Sequence, residues 1–413
     1  MRTRLSVCIF AVSVAVATLP ALAATARASY GAVFNEIWQT VRDQFFDPRL
    51  NGLDWNTARE RYAARAERAR TADDFASVVN EMLSELRSSH THYYTPQSTE
   101  YFQLCGIFWS TLEPKLKQFL ASGRPDYVGI GVSTISRDGK VFVLDILSGS
   151  PAAAAGVRTG DQIVSVDGAP FHPIASFADK SQRAVRMQIR RTASGDTQLV
   201  SVTPTRLDPT TMFLDAMKAS VEVLNHGGVK VGYVHIWSYA GEAYQDQLEE
   251  ELDRRLHDAD ALIVDLRNGW GGASPTYLRP FVAPPMSTTW IMRDGKRHLH
   301  EEAWTKPICF LVNENTKSGK ELLSYYFKKA HRGTIVGTRT AGAVLVGQPF
   351  VLSDGSLLYL AVADGLIDGK RLEGNGIIPD VEVPFTIEYS GGRDPQKERA
   401  IEILSRESHH RKA

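Results

Sequence analysis

Apolar residues recur at three- and four-residue steps in the first third of the chain. Val33, Phe34, Ile37, Trp38, Val41 and Phe45 share one face of a helix, which Asp47-Pro48 ends. Trp55 to Arg70, rich in Ala, Arg and Glu, is predicted to be helical too. Thr71 followed by Asp74 has the spacing of a capping box, and Phe75, Val78, Val79, Met82, Leu83 and Leu86 form the next apolar stripe. That stripe stops at Arg87-Ser88-Ser89-His90-Thr91-His92, a polar and titratable cluster. From residue 126 the period shortens. Val141–Ile146, Val185–Arg190 and Gln198–Pro204 read as strands, with a short helix at 150–157 that carries Pro151 in its first turn. Between 206 and 390, strands at 231–237, 261–267, 307–312 and 334–337 alternate with helices at 242–256 and from 321 onward. This alternation predicts an α/β layer with a mostly parallel centre. Residues 350–352 and 357–362 flank Asp354-Gly355 as a hairpin. Residues 391–413 read as a polar, basic tail, within which a helix over 396–405 fits.

Composition narrows the class. The chain has 413 residues, 43% hydrophobic and 23% charged, with 47 basic and 47 acidic side chains. That is an ordinary globular balance with room for two or three domains and no electrostatic pull toward nucleic acid. Arg2 and Arg4 precede the apolar run Leu5–Leu19 and the small residues at 21–23, the order of a secretory signal over residues 1–23. An uncleaved N-terminal anchor is the other reading. An exported protein, periplasmic or secreted and without a membrane span once the signal is removed, is expected. Cys105 and Cys309 are the cysteines beyond that segment, and their pairing is not fixed by the sequence. No metal-ligand spacing such as CxxC or HExxH occurs, and no cofactor is expected.

The candidate chemistry gathers at Pro307–Phe327. An apolar strand leads into the turn Asn313–Gly319 and then a helix, with Ser318 at the junction. A hydroxyl there lies in the field of a helix N-terminus, which suits a nucleophile, although helix capping alone also explains a serine. Asn268-Gly269-Trp270-Gly271-Gly272 follows another apolar strand. It is neither GxxxxGK[ST] nor GxGxxG, so its glycines fit a bared backbone N–H better than a phosphate cradle.

Two resemblances follow from ordered motifs. GIGV, SPAAAAGV and GDQIVSVDG, spread over residues 126–205, resemble a PDZ domain. This implies that Gly129, Ile130 and Gly131 present N–H groups to the carboxylate of a peptide C-terminus added beside an edge strand. IVDLRNGWGG, LVNENTKSGKE, IVGTRTAGA and LEGNGIIPDVEVP together resemble the C-terminal processing (tail-specific) serine peptidases, over roughly residues 30–390. The resemblance implies a multidomain α+β and α/β protein: a helical N-terminal domain at 30–124, an inserted PDZ domain at 126–205, a peptidase core at 206–390 and the tail at 391–413. It makes Ser318 the nucleophile. The N–H groups of Gly319 and of the 270–272 turn, taken as Gly271, form the oxyanion hole.

The better-known members carry a lysine base where this chain has Ala343. Lys317 and Lys320 belong to the serine's own turn and are poorly placed to replace it. The tricorn-core-like branch uses a histidine instead, and His90 in SSHT stands at that position, with Ser89 beside it and Glu373 in LEGNG as the late acid. His92 is the rival base. The expected activity is hydrolysis of a protein or peptide chain engaged through its C-terminus. The missing lysine and bulky Trp270 also admit an inactive, peptide-binding scaffold. An esterase is a third reading, but GxSxG is absent around Ser318.

Overall fold

The computed structural model describes residues 29–284, 287–301 and 303–412. The signal-like segment 1–23 lies outside them. Three helices open the described chain: α1 (Tyr30–Gln44), α2 (Trp55–Glu67) and α3 (Ala72–Ser84). The Thr71–Asp74 capping box closes in both directions. The stripes of α1 and α3 bury Phe34, Ile37, Phe75 and Met82 in one core. The short strand β1 (His92–Tyr94) and helices α4 (Thr99–Ile107) and α5 (Trp109–Leu116) follow.

β2 (Tyr127–Gly129) pairs with β8 (Thr205–Leu207) and so joins the two ends of the next unit. Between them, β3 (Val132–Arg137), β4 (Lys140–Ile146), β5 (Gln162–Val166), β6 (Val185–Arg190) and β7 (Gln198–Val202) form an antiparallel sheet in that order. The short helix α6 (Pro151–Ala154) is capped by Ser150. Strand β3 lies at an edge of this sheet, with one face of its ladder unpaired among the described residues.

The third unit begins with α7 (Met212–Ser220), β9 (Glu222–His226), β10 (Val229–His235), α8 (Glu242–Asp253) and β11 (Ala261–Asp265). A short helix α9 (Arg279–Val282) and the hairpin β12 (Ser287–Ile291) and β13 (Arg297–Glu301) precede β14 (Ile308–Val312). Helix α10 (Gly319–Lys329), β15 (Thr334–Gly337), β16 (Val346–Val351), β17 (Leu357–Ala363), β18 (Val381–Glu382) and α11 (Pro395–Lys412) complete it. The central sheet runs β18-β15-β14-β11-β10-β9 and is parallel except for β9. All five residues of β11 and of β14 are buried, as a strand covered on both faces requires.

One part of the fold differs from the sequence reading. The segment 391–413 is not a polar tail: α11 lays Ala400, Ile403 and Leu404 against Val231, Ile263 and Leu311 of the central sheet. Its apolar residues are few but lie on one face. The hairpin expected around Asp354-Gly355 forms as β16–β17, and the other edge of β17 takes β1, in the order β1-β17-β16. Leu358 and Leu360 of β17 enter the N-terminal helical core, while Leu357 and Tyr359 point into the core of the central sheet. This strand therefore clamps the helical segment, with His90 just before β1, onto the α/β layer. Cys105 and Cys309 are buried and unpaired, each in its own core.

Candidate active site

The site forms where the parallel strands β11 and β14 end at their carboxyl edge, the usual place for chemistry in an open α/β sheet. The β11 end is fixed by charge. Asp265 and Arg267 pair at 2.6 Å, and Arg267 also binds Asp394 from the segment before α11 at 2.6 Å. The guanidinium holds the buried Asp265 carboxyl well below its ordinary range against the opposing cost of burial. Beyond Arg267 the chain turns at Asn268, which has φ 54°. Asn268 Oδ1 accepts from the amides of Asn313 (2.9 Å) and Asn315 (3.1 Å) in the turn after β14. Its Nδ2 donates to Asp145 of β4 at 3.1 Å, and Trp237 Nε1 donates to the same carboxylate oxygen at 2.8 Å.

Ser318 occupies the N-cap position of α10, yet its side chain makes no cap hydrogen bond. Its backbone stands at φ 58°, ψ −132°, a region that residues with a Cβ rarely adopt and that costs on the order of 1–3 kcal/mol. The capping explanation of this serine therefore fails. The strain is held by neighbours. Ser318 N–H donates to Ala343 O at 2.7 Å. The buried Glu321 carboxylate accepts from the N–H groups of Gly342 and Ala343, both at 2.7 Å, and from Thr340 Oγ1. Burial pushes the Glu321 pKa up, while these donors pull it down.

Gly271 lies directly against the serine. A Cβ placed there would sit 2.5 Å from Ser318 Cβ, so no larger residue fits. A Cβ on Gly319 would meet Ala273 N at 2.3 Å. Among the described residues, the N–H groups of Gly271 and Gly319 donate to no protein acceptor. Two bared donors beside one hydroxyl can serve a developing oxyanion.

His90 reaches this place from the far N-terminal segment. It lines, with Ser318, Gly271, Gly319, Val344 and Tyr359, one cavity of about 270 Å³. Its ring packs 5.5 Å from that of Tyr359. Gly347 makes the room: a Cβ there would lie 2.8 Å from His90 Cδ2 and 2.3 Å from Tyr359 Cζ. His90 Nδ1 bonds Ser89 Oγ at 2.9 Å. Ser89 Oγ donates to Glu373 Oε2 and Ser89 N–H to Glu373 Oε1, both at 3.0 Å. Because the Ser89 proton goes to Glu373, its oxygen accepts from His90, which assigns the proton to Nδ1 and leaves Nε2 as the acceptor. Burial first, and the Lys317 charge second, lower the His90 pKa to about 4. The ring is thus neutral at physiological pH, the form a general base needs. Among the described residues no hydrogen bond yet joins His90 to Ser318. Glu373 also accepts from the N–H groups of Val344 (2.8 Å) and Leu345 (3.3 Å), which ties it to the irregular segment before β16, whose Ala343 carbonyl holds Ser318 N–H.

The other candidates fall outside this arrangement. His92 lines a neighbouring cavity with Glu100, Trp270 and Lys317, and Ser318 is not on its wall. Lys320 is fully buried, with Nζ donating to the carbonyls of Trp237 (3.1 Å) and Asn268 (2.9 Å), and burial lowers its pKa to about 7. It anchors the glycine-rich turn. Gly129 ends β2, and Ile130 and Gly131 lead from it into β3. Ile130 is buried, and Gly131 has φ 76° with Ser150 Cβ 2.4 Å from where its own Cβ would stand, so glycine is required there. Glu321, Gly347 and Asp145 were not singled out from sequence; the side-chain contacts that matter here reach partners 12 or more positions away, so no local pattern marks them. Among the described residues no group of three His, Cys, Asp or Glu could hold a metal ion.

Residues 230–383 match the profile of peptidase family S41, residues 26–84 that of the tricorn protease C1 domain, and residues 128–204 that of a PDZ domain. A carboxyl-terminal-processing protease of Synechocystis sp. is 26% identical over 390 residues, covering 89% of this chain and 85% of its own. A putative tricorn protease homolog of Streptomyces coelicolor is 26% identical over 404 residues, covering 91% of this chain but 32% of its own. The chain thus spans about a third of the length of that tricorn relative. The crystal structure of the tricorn protease matches with a TM-score of 0.54 at 21% identity, over 92% of this chain and 37% of the other, a likeness of fold. None of these similarities supports the inactive-scaffold reading.

Proposed function

On the premise that this chain is a PDZ-containing member of peptidase family S41 with a tricorn-type N-terminal segment, we propose that it hydrolyses peptide bonds with Ser318 as nucleophile and His90 as general base. The observation that carries this reading is the hydrogen-bond series from Glu373 through Ser89 to His90 Nδ1, ending in the cavity of an uncapped, strained serine. Nε2 takes the Ser318 proton as Oγ attacks the scissile carbonyl, and the N–H groups of Gly271 and Gly319 receive the oxyanion. The imidazolium that forms donates through Ser89 toward the Glu373 carboxylate. The same proton passes to the leaving amine, and a water molecule then releases the acyl group from Ser318.

The helical segment 30–124 supplies the base and the core 206–390 the nucleophile. The unit 126–205 engages the C-terminus of an unstructured substrate at the open edge of β3, beside the 129–131 loop. The signal-like first 23 residues favour export to the periplasm or beyond. Ser318→Ala and His90→Ala should each abolish cleavage of a flexible protein such as casein while circular dichroism stays unchanged, and a fluorophosphonate probe should label Ser318 stoichiometrically. Normal cleavage by both variants would overturn the assignment.

A further inference from the structure

Two lysines flank the nucleophile, and they are used differently. Lys320 spends its donors on two carbonyls. Lys317 does not: among the described residues its ammonium makes no hydrogen bond and no ion pair, and it rests 4.1 Å from the centroid of the Trp270 ring. Trp270 is itself fixed, with Nε1 donating to Gln103 Oε1 at 2.8 Å. Lys317 and Trp270 together form the wall between the Ser318 cavity and its larger neighbour, and both side chains line both spaces.

Apart from Ser318, His90, Tyr359 and Lys317, the side chains of the Ser318 cavity are apolar, Leu104, Phe108, Leu322 and Val344 among them, and Lys317 is the one formally charged side chain on it among the described residues. Glu100 lines the neighbouring space, but it lies beyond ion-pair distance and its Oε2 accepts from Thr99 Oγ1 at 3.2 Å. Burial lowers the Lys317 pKa, and the Glu100 charge only partly offsets this. A cation held in apolar surroundings without a carboxylate partner is costly, and a bound anion removes that cost. The aromatic backing holds the ammonium in place without using its three N–H donors.

Resting on the peptidase reading, we propose that Lys317 is a specificity-determining residue that holds a carboxylate of the substrate while an apolar side chain of the same substrate fills the Ser318 cavity. The carboxylate is either the chain terminus or a nearby Asp or Glu side chain. Either source confines cleavage to bonds close to an acidic group, because one lysine adjoins the nucleophile.

The test uses the full chain and three peptides of one apolar sequence: one with a free C-terminal carboxylate, one amidated, and one amidated with a glutamate near the end. The wild type should show a KM at least about tenfold lower for a carboxylate peptide than for the plain amide, the size expected of a charge-assisted hydrogen bond. Preference for the first peptide identifies the terminus, and preference for the third the side chain. Lys317→Met should erase the preference, so that the three peptides give the same KM, and Lys317→Arg should keep it. Calorimetric binding of the same peptides to Ser318→Ala protein separates the two readings, since Lys317-dependent binding there, together with no turnover of any peptide by the wild type, would sink the peptidase assignment and leave this one standing. Equal KM values for all three peptides, or a preference that survives Lys317→Met in a variant that melts like the wild type, would overturn the proposal.

Discussion

Ser89 and Glu373 are 284 positions apart and share two hydrogen bonds of 3.0 Å, one to each carboxylate oxygen. This contact joins the helical segment to the α/β layer at the point where His90 enters the cavity. It fixes both the position of the ring and its tautomer. Ser89→Ala removes the acceptor at Nδ1 and leaves Glu373 with its other donors. It should lower kcat by about 10- to 100-fold with KM nearly constant, as loss of an orienting partner does. Glu373→Ala also strands the N–H groups of Ser89, Val344 and Leu345. It should therefore cost about 1–3 kcal/mol of stability as well, read as a lower midpoint in urea. Equal melting of the two variants would mean that Glu373 does not hold the segment.

The pH profile follows from the buried imidazole. The His90 pKa is lowered to about 4, by burial first and the Lys317 charge second. The imidazole is neutral above that value, so with His90 as the proposed base the acid limb of kcat/KM should fall near pH 4 rather than near the ordinary histidine value of about 6.5. The stability effect has the same origin. Between about 6.5 and about 4 the unfolded chain binds a proton that the folded chain does not, so His90 makes stability fall as the pH drops through that window. His90→Gln should make that part of a stability–pH curve shallower, the remaining slope coming from His92, whose pKa burial first and the Lys317 charge second also lower to about 4. An acid limb centred at the ordinary histidine value would show that the ring is solvated in the working enzyme.

Gly347 tests the packing around His90. A methyl group there would meet His90 Cδ2 at 2.8 Å and Tyr359 Cζ at 2.3 Å, with the ring of Tyr359 packed in the core of the central sheet. Both rings would have to shift, and misplacing a base by about 1 Å costs on the order of 100-fold. Gly347→Ala should therefore lower kcat by about that factor while fluorophosphonate labelling of Ser318 slows in parallel. Full activity would mean that the ring has space the static structure does not show.

The helical faces of α1 and α3, the parallel strands and the turn that carries Ser318 were legible because each is a local pattern of apolar period and turn chemistry. Ser89, His90 and Glu373 were legible through motif resemblance, and the structure brings these three together. What was not legible depends on pairing across the chain. Strand β17 reads as half of a hairpin, and nothing local says that its other edge takes β1. The polar character of 391–413 hides Ala400, Ile403 and Leu404, whose burial depends on the sheet they meet. Lys317 and Lys320 look alike in sequence, yet only the fold puts carbonyls around one and an indole under the other.

Glu321 gives the most direct check on how the strained serine is held. Its carboxylate accepts two N–H groups at 2.7 Å, from Gly342 and Ala343, and Ala343 O in turn accepts from Ser318 N–H at 2.7 Å. Glu321→Gln keeps the shape but offers one acceptor oxygen where two were used, so at least one buried N–H loses its partner or faces an amide NH₂. A loss of about 1–3 kcal/mol in stability is expected from that alone. The catalytic effect is separable. If the 342–343 backbone relaxes, Ser318 is freed toward ordinary helix geometry and its hydroxyl turns to cap α10. In that state kcat should fall while peptide binding to the cavity persists. Single-turnover acylation measured beside peptide affinity distinguishes the two effects: a variant that is less stable but acylates at the wild-type rate would show that the strain at Ser318 is set by the Gly271 contact rather than by Glu321.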